Sequence, residues 1–264
     1  MGSATREAIA VSRAALSATS GVTLAVAEEL FSAGRIIGSS AQLEAILADP
    51  STPAADKQGL IGSIFGKALG AKAKKILDVA VTQRWSSHDD LLAGIEELGL
   101  RAAAASAPAG ASIETELFEF GNAVSSDPEL ELAVGSKRGD DDAKVALVDA
   151  LLAAKASPQT LAIVHQLVLQ PRGRRIGELL STAASIVADE AGLVLATVTS
   201  AAPLADAQLE RLKKGLASSY GREIRINLVV DPSIIGGLRV RVADDVIDGT
   251  VARKLADLRL QLAG

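Results

Sequence analysis

The sequence contains no cysteine. Disulfide bridges, thiolate nucleophiles and thiolate metal sites are thereby excluded, and a reducing compartment is permitted. Aromatic residues make up only 2% of the 264 residues while 48% are hydrophobic, so the cores must be built from Ala, Leu, Val and Ile, a composition that favours closely packed helices. Histidine is nearly missing too: of the only two, His88 lies in a Ser-Ser-His-Asp-Asp helix start and reads as a solvated cap neighbour, and His165, among Ile163, Val164 and Leu167, reads as a half-buried structural residue and not a base. Long apolar runs are lacking. An uncharged stretch such as 14–27 is broken by Ser, Thr and Gly and falls short of the roughly 18 to 20 apolar residues needed to span a bilayer. Residues 1–13 carry Arg6, Glu7 and Arg13 where a signal peptide would be apolar. An excess of positive charge is absent as well. The net charge is −5 and the pI about 5.2, the wrong sign for holding phosphate backbones, so nucleic acid is not an expected partner. These absences predict a soluble, cytoplasmic chain with no direct membrane insertion, attached to a membrane only through a partner.

What is present is mostly helical periodicity. Helices are expected over 5–17, 22–38, 43–47, 57–69 and 71–84. The third ends at Asp49-Pro50, because the residue before proline is pushed out of the helical region. Ser87, with Asp90 three residues on, suits the cap of a long helix running to Ala105. The stretch 107–110, Ala-Pro-Ala-Gly, is the first linker candidate.

Beyond it the pattern repeats. At a fixed offset of 87 residues Glu29, Phe31, Gly34, Lys57, Ile76 and Gln83 recur as Glu116, Phe118, Gly121, Lys144, Ile163 and Gln170. Matches among Leu and Ala are cheap, but a recurring Phe is not in a chain with four. A duplicated helical unit follows, with Phe31 and Phe118 expected inward at equivalent sites. The same offset places 6–18 on 93–105, so the long helix after Trp85 both closes the first unit and opens the second.

From Gly192 the character changes. Residues 193–199 form a short apolar run of β-formers, expected to be a strand buried on both faces. A helix with Leu209, Leu212, Leu216 and Tyr220 on one stripe ends at Gly221. Ile224, Ile226, Leu228 and Val230 then alternate with polar residues, and Leu238, Val240 and Val242 alternate with Arg239 and Arg241. Val246 and Ile247 make a return strand, and Asp248-Gly249-Thr250 a bend with a hydroxyl suited to capping a last helix. The fold class expected is mainly α, a duplicated helical bundle followed by a small α+β domain, divided at 1–106, 107–190 and 191–264.

No reactive constellation emerges. Asp140-Asp141-Asp142 lacks the alternating ligands and central glycine of a calcium loop and suits a solvated helix start. Residues 62–68, Gly-Ser-Ile-Phe-Gly-Lys-Ala, have one residue too few between the glycines for a phosphate loop, and Ala68 stands where a magnesium-binding hydroxyl is needed. The basic loop 171–175, Pro-Arg-Gly-Arg-Arg, reads as a solvated turn, with an acidic partner surface as its alternative. Catalytic, cofactor and metal residues are all expected to be none.

The stretch 231–250, D-P-S-I-I-G-G-L-R-V-R-V-A-D-D-V-I-D-G-T, resembles the C-terminal signature of the delta subunit of F-type ATP synthases, whose mitochondrial counterpart is the oligomycin-sensitivity-conferring protein. Asp231, Pro232, Ile235, Gly236, Gly237, Asp248 and Gly249 carry it, with Gly236-Gly237 in a structural turn. The segment 198–204, the ending Tyr220-Gly221 and an amphipathic helix from Thr250 agree with the same family, and upstream 116–121 with 127–130 resemble the helical N-terminal domain of the longer delta subunits of high-GC Gram-positive bacteria.

The resemblance implies a non-catalytic stator connector that joins the catalytic head, through the alpha-subunit N-termini and the beta subunits, to the b subunit of the peripheral stalk. It implies a place at the cytoplasmic face of the cell membrane as part of that complex. The final helix carries a stripe through Val251, Leu255, Leu258 and Leu262, with Leu260 off it, so Leu258, Leu260 and Leu262 are the candidate partner-binding residues. The alternative is a helical adaptor that grips amphipathic peptides of another complex; an enzyme would need convergent polar residues that the sequence does not offer. Purified protein is expected neither to bind nor to hydrolyse ATP, and saturable nucleotide binding in equilibrium dialysis would overturn that.

Overall fold

The structure, a computed structural model, describes residues 2–136, 139–153, 155–242, 245–253 and 255. The chain divides into two compact units, Met1–Val187 and Ala188–Gly264. The first is helical: α1 Ser3–Ser17, α2 Leu24–Gly38, α3 Ala41–Ala48, α4 Ala54–Phe65, α5 Ala71–Thr82, α6 His88–Ala105, α7 Ile113–Ser126, α8 Pro128–Gly135, α9 Asp141–Leu152, α10 Pro158–Leu169 and α11 Ile176–Glu190, the last ending beyond the unit boundary.

The duplication is visible in the elements themselves. Moved by 87 residues, α3, α4 and α5 fall on 128–135, 141–152 and 158–169, the spans of α8, α9 and α10. The same shift carries α1 into α6 and α6 onto α11, so α6 belongs to both copies. Local chemistry repeats with it. Glu29 on α2 accepts a hydrogen bond at 2.9 Å from the amide of Gly70, just ahead of α5, and Glu116 on α7 accepts one at 2.9 Å from the amide of Ser157, just ahead of α10. Each carboxylate satisfies an orphan donor at the positive end of a helix. Ser40 caps α3 and Asp127 caps α8 at equivalent positions. Leu30 and Leu117, Ile61 and Val148, and Ile76 and Ile163 are pairwise fully buried. Lys57 and Lys144 are buried too, with Lys57 Nζ donating to the carbonyl of Leu47 at 2.7 Å and Lys144 Nζ lying 3.2 Å from Asp141.

The equivalence of the two phenylalanines is only partial. Phe31 is 2% exposed, lying over Gly99 of α6 so closely that a Cβ there would stand 2.3 Å from the ring. Phe118 is half-buried. The counterpart of Gly99 in the second copy is Ile186 on α11, so the close ring-on-glycine approach of the first copy has no glycine to receive it in the second. A second ring changes sides. The first copy has Ala33 on α2 and buried Phe65 on α4, and the second has buried Phe120 on α7 and Leu152 on α9. Each copy therefore keeps one large ring among these paired sites.

The second unit holds β1 Leu193–Ser200, α12 Asp206–Tyr220, β2 Glu223–Val230, β3 Leu238–Val242 and β4 Asp245–Asp248. The sheet order is β2-β1-β3-β4; β1 runs parallel to β2, and the other pairings are antiparallel. Gly221, at φ 65, ends α12 in the left-handed conformation glycine tolerates, as its place after Tyr220 leads one to expect. The core gathers Ala196, Val198, Ile224, Val240 and Val242 beneath Leu216, with Leu212 and Tyr220 against it. β1 departs from the expected two-sided burial. Ala196, Val198 and Ser200 are buried, whereas Thr197 and Thr199 between them are half-buried. Antiparallel pairing with β3 is the reason, since it sets Thr197 beside Arg241 and Thr199 beside Arg239, and those arginines are exposed.

The asymmetry between the rings gives a stability test. Phe31→Ala is expected to cost about 3 to 5 kcal/mol in urea unfolding and Phe118→Ala distinctly less; equal losses would mean that Phe118 is packed as Phe31 is.

Candidate functional site

The residues of the C-terminal signature converge on one junction. β2 ends at Val230, and the amide of Asp231 donates to the carbonyl of Ser200 at 2.8 Å, tying the strand exit to the end of β1. Pro232 follows in the turn, where the Asp231 carboxylate accepts from the amide of Ser233 at 2.9 Å. Ile235 stands 78% exposed. Gly237, at φ 84, then brings the backbone against the far end of the hairpin: a Cβ there would lie 2.4 Å from the carbonyl oxygen of Gly249 and 2.8 Å from Cα of Thr250. Only glycine accepts both the conformation and the approach. The amide of Gly249 donates to Leu238 at 2.9 Å and that of Val251 to Gly236 at 3.0 Å, closing the contact from both sides.

Asp248 accepts from the amide of Thr250 at 3.0 Å and lies 3.5 Å from Arg239. The hydroxyl of Thr250, a residue 3% exposed, accepts from the amide of Arg253 at 3.3 Å and caps the helical turn that starts at Val251. Asp231, Pro232, Gly236, Gly237, Asp248 and Gly249 are thus brought together as a fastening for the hairpin and the last helix. The partner-binding candidates Leu258, Leu260 and Leu262 lie outside the described residues.

Hydrogen bonding from Ser233 hydroxyl and amide holds the Asp231 carboxyl below its usual range, and hydrogen bonding from Thr250 hydroxyl and amide, helped by Arg239, does the same for Asp248.

The basic loop 171–175 has an internal role that its sequence does not disclose. Arg174 makes two hydrogen bonds to Glu96 on α6, at 3.0 and 2.8 Å, and Arg172 reaches Glu96 at 3.1 Å and the carbonyl of Asp89 at 3.1 Å. Arg172 takes a positive φ of 48 to do so, and its burial lowers the guanidinium pKa while Glu96 works against that shift. An amide chain runs beside it: Arg35 donates to Gln166 at 2.5 Å, Gln166 to Gln170 at 2.9 Å and Gln170 to the carbonyl of Gly34 at 3.1 Å. The second copy is fastened to the first through these contacts. Neighbouring carboxylates Glu96 and Glu97 in the otherwise uncharged stretch 91–100 of α6 are the sequence signal for a buried cation partner.

The remaining polar features stay separate. His165 lies 2.9 Å from Asp149 at the surface, His88 is exposed in the first turn of α6, and Asp140 caps α9. Gly62 sits inside α4, so 62–68 begins as helix and not as a phosphate-binding loop. Among the described residues no three His, Asp or Glu side chains converge on a possible metal position, and no helix is long and apolar enough to cross a membrane.

Both Asp231 and Asp248 have folded-state pKa values below the unfolded value, so each contributes stability above about pH 4 that is lost as pH falls through the folded value. Asp248→Asn is therefore expected to flatten the acid limb of the stability curve, measured by urea unfolding across pH; an unchanged acid limb would contradict the linkage.

Comparison with known proteins matches the geometry to a family. The family model described as ATP synthase delta (OSCP) subunit matches residues 99–262, which takes in the second helical copy and the α+β unit. A protein named ATP synthase subunit delta from Leifsonia xyli is 54% identical over 265 residues, covering 100% of both chains. One of the same name from Streptomyces griseus is 38% identical over 271 residues, again covering 100% of both. A chain in a cryo-EM structure of the Toxoplasma gondii mitochondrial ATP synthase hexamer aligns more loosely, with TM-score 0.42 and 19% identity over 64% of this chain and 96% of that one. On the family match and the full-length relatives, the chain belongs to the ATP synthase delta (OSCP) subunit family.

Proposed function

We propose that the chain is the stator connector of a proton-translocating rotary ATP synthase, a non-catalytic link between the alpha/beta catalytic head and the b-subunit peripheral stalk. The observation that carries this reading is the end-to-end likeness at 54% identity to a protein named as a delta subunit. In this reading the helical part, units 1–106 and 107–190, holds the alpha-subunit N-termini of the head, and 191–264 grips the b subunit. The complex places the chain at the cytoplasmic face of the cell membrane, peripherally and without insertion. A connector resists torque through broad packed surfaces, which suits paired helical bundles fastened to one another.

The terminal leucines are the proposed grip. Burying two leucine side chains against a stalk helix would contribute about 3 to 6 kcal/mol, a loss of two or more decades in affinity when removed. Leu260→Asp with Leu262→Asp in the full chain is expected to leave the circular dichroism spectrum unchanged and to weaken binding to the purified C-terminal part of the b subunit by that margin. Undiminished b binding by the folded variant would move the stalk contact elsewhere, and failure of the wild-type chain to bind either the b subunit or the catalytic head would sink the connector reading.

A further inference from the structure

The sheet of the second unit has two unlike faces. One packs beneath α12 through Ala196, Val198, Val240 and Val242. On the other, register sets Thr199, Arg239 and Asp248 in one row and Thr197, Arg241 and Val246 in the next. β4 is one edge of the sheet, with β2 at the other. Arg239 and Arg241 are exposed, and Val246 is 57% exposed. Arg239 is partly engaged by Asp248 at 3.5 Å, whereas Arg241 stands opposite Val246 and has no carboxylate partner among the described residues.

We infer that this outer face, along β4, is the seat of an acidic amphipathic helix of a partner, with aliphatic side chains on Val246 and the arginine stems and carboxylates on Arg241 and Arg239. Charge favours that occupant here and not on the helical unit. Residues 188–264 contain ten acidic and ten basic side chains, so the net −5 of the whole chain resides in 1–187. An acidic helix is repelled by the first unit and meets on the second a guanidinium that has no carboxylate partner among the described residues. Arginine suits the role because its planar fork takes a carboxylate with two parallel hydrogen bonds. The inference rests on the connector reading, in which the partner is the C-terminal part of the b subunit.

The test uses the full chain and that purified b segment at low and high salt. Arg241→Glu is chosen because its cross-strand neighbours are Thr197 and Val246, so the reversal sets no like charge directly opposite it; the diagonal Asp248 is the nearest carboxylate on that face. Expected are a drop in affinity of at least tenfold for Arg241→Glu and a similar drop for Val246→Asp. Arg241→Lys should lose affinity but less than Arg241→Glu, since the charge survives while the fork is lost. The wild-type affinity should fall more steeply with salt than that of Arg241→Glu. Binding within twofold of wild type by folded Arg241→Glu and Val246→Asp would overturn this surface and leave the connector reading standing. Absence of b binding by the wild-type chain would overturn both.

Discussion

Helix α6 must serve two bundles at once, and the helical unit depends on how it does so. As the closing helix of one copy and the opening helix of the next it is enclosed nearly all round, with Leu91, Leu92, Ile95, Leu98 and Leu100 buried. Glu96 and Glu97 are buried on it as well. An unpaired buried carboxylate is strongly destabilising, because its hydration is lost and nothing replaces it. Three elements answer this demand: Arg13 of α1 and Arg101 of α6 itself pair with Glu97, and Arg172 and Arg174 reach Glu96 from the loop after α10. The carboxylates thus act less as a source of net stability than as a specification of which elements must come together. The pairing is satisfied only when both copies are assembled around α6.

Close helix approach is the second demand. Gly99 admits the Phe31 ring and Gly94 admits Trp85, where a Cβ would stand 2.1 Å from the indole. Glycine inside a helix costs about 1 kcal/mol against alanine, so two such sites in α6 are tolerated only because the rings they admit bury more. Trp85 is 4% exposed and its indole N–H donates to the carbonyl of Ala80 at 2.8 Å, which removes the remaining polar cost. The second copy solves the same volume problem differently. Ile186 stands at the site equivalent to Gly99, the ring at 118 is half-buried, and the large buried ring of α7 is Phe120. Repeated backbones have kept their caps and exchanged their packing.

What the sequence disclosed divides along the same line. Interactions set by neighbours in the chain were legible: the Ser87 cap, the halt before Pro50, the glycine at the end of α12 and the Thr250 cap all stand where their residue types demand. The duplication was legible because a fixed offset survives sequence divergence. The hairpin alternation was legible because each β residue declares its face by its polarity. Long-range polar contacts were not. Nothing near 171–175 announces that its arginines turn inward to a carboxylate 78 residues earlier, and nothing beside Phe118 announces that its site lacks the glycine that Phe31 packs on. The second face of β1 escapes a sequence reading for a related reason, since an apolar run does not reveal that its antiparallel neighbour presents arginines to water.

The signature residues illustrate why family likeness and site geometry answer different questions. Gly237, Asp248 and Gly249 hold the hairpin to the start of the last helix through backbone approach and hydrogen bonding. Their chemistry fixes where the surrounding surface points. Ile235 is exposed beside the junction, Val246 and Arg241 lie on the strands that the junction holds together, and Val251 begins the helix it caps. A glycine pair that draws two chain segments together removes conformational freedom from all of these at once, and a rigid presentation lowers the entropy a partner must surrender on binding. In a connector that has to resist torque, the residues of the junction are therefore the ones that determine how firmly the contacting residues are held.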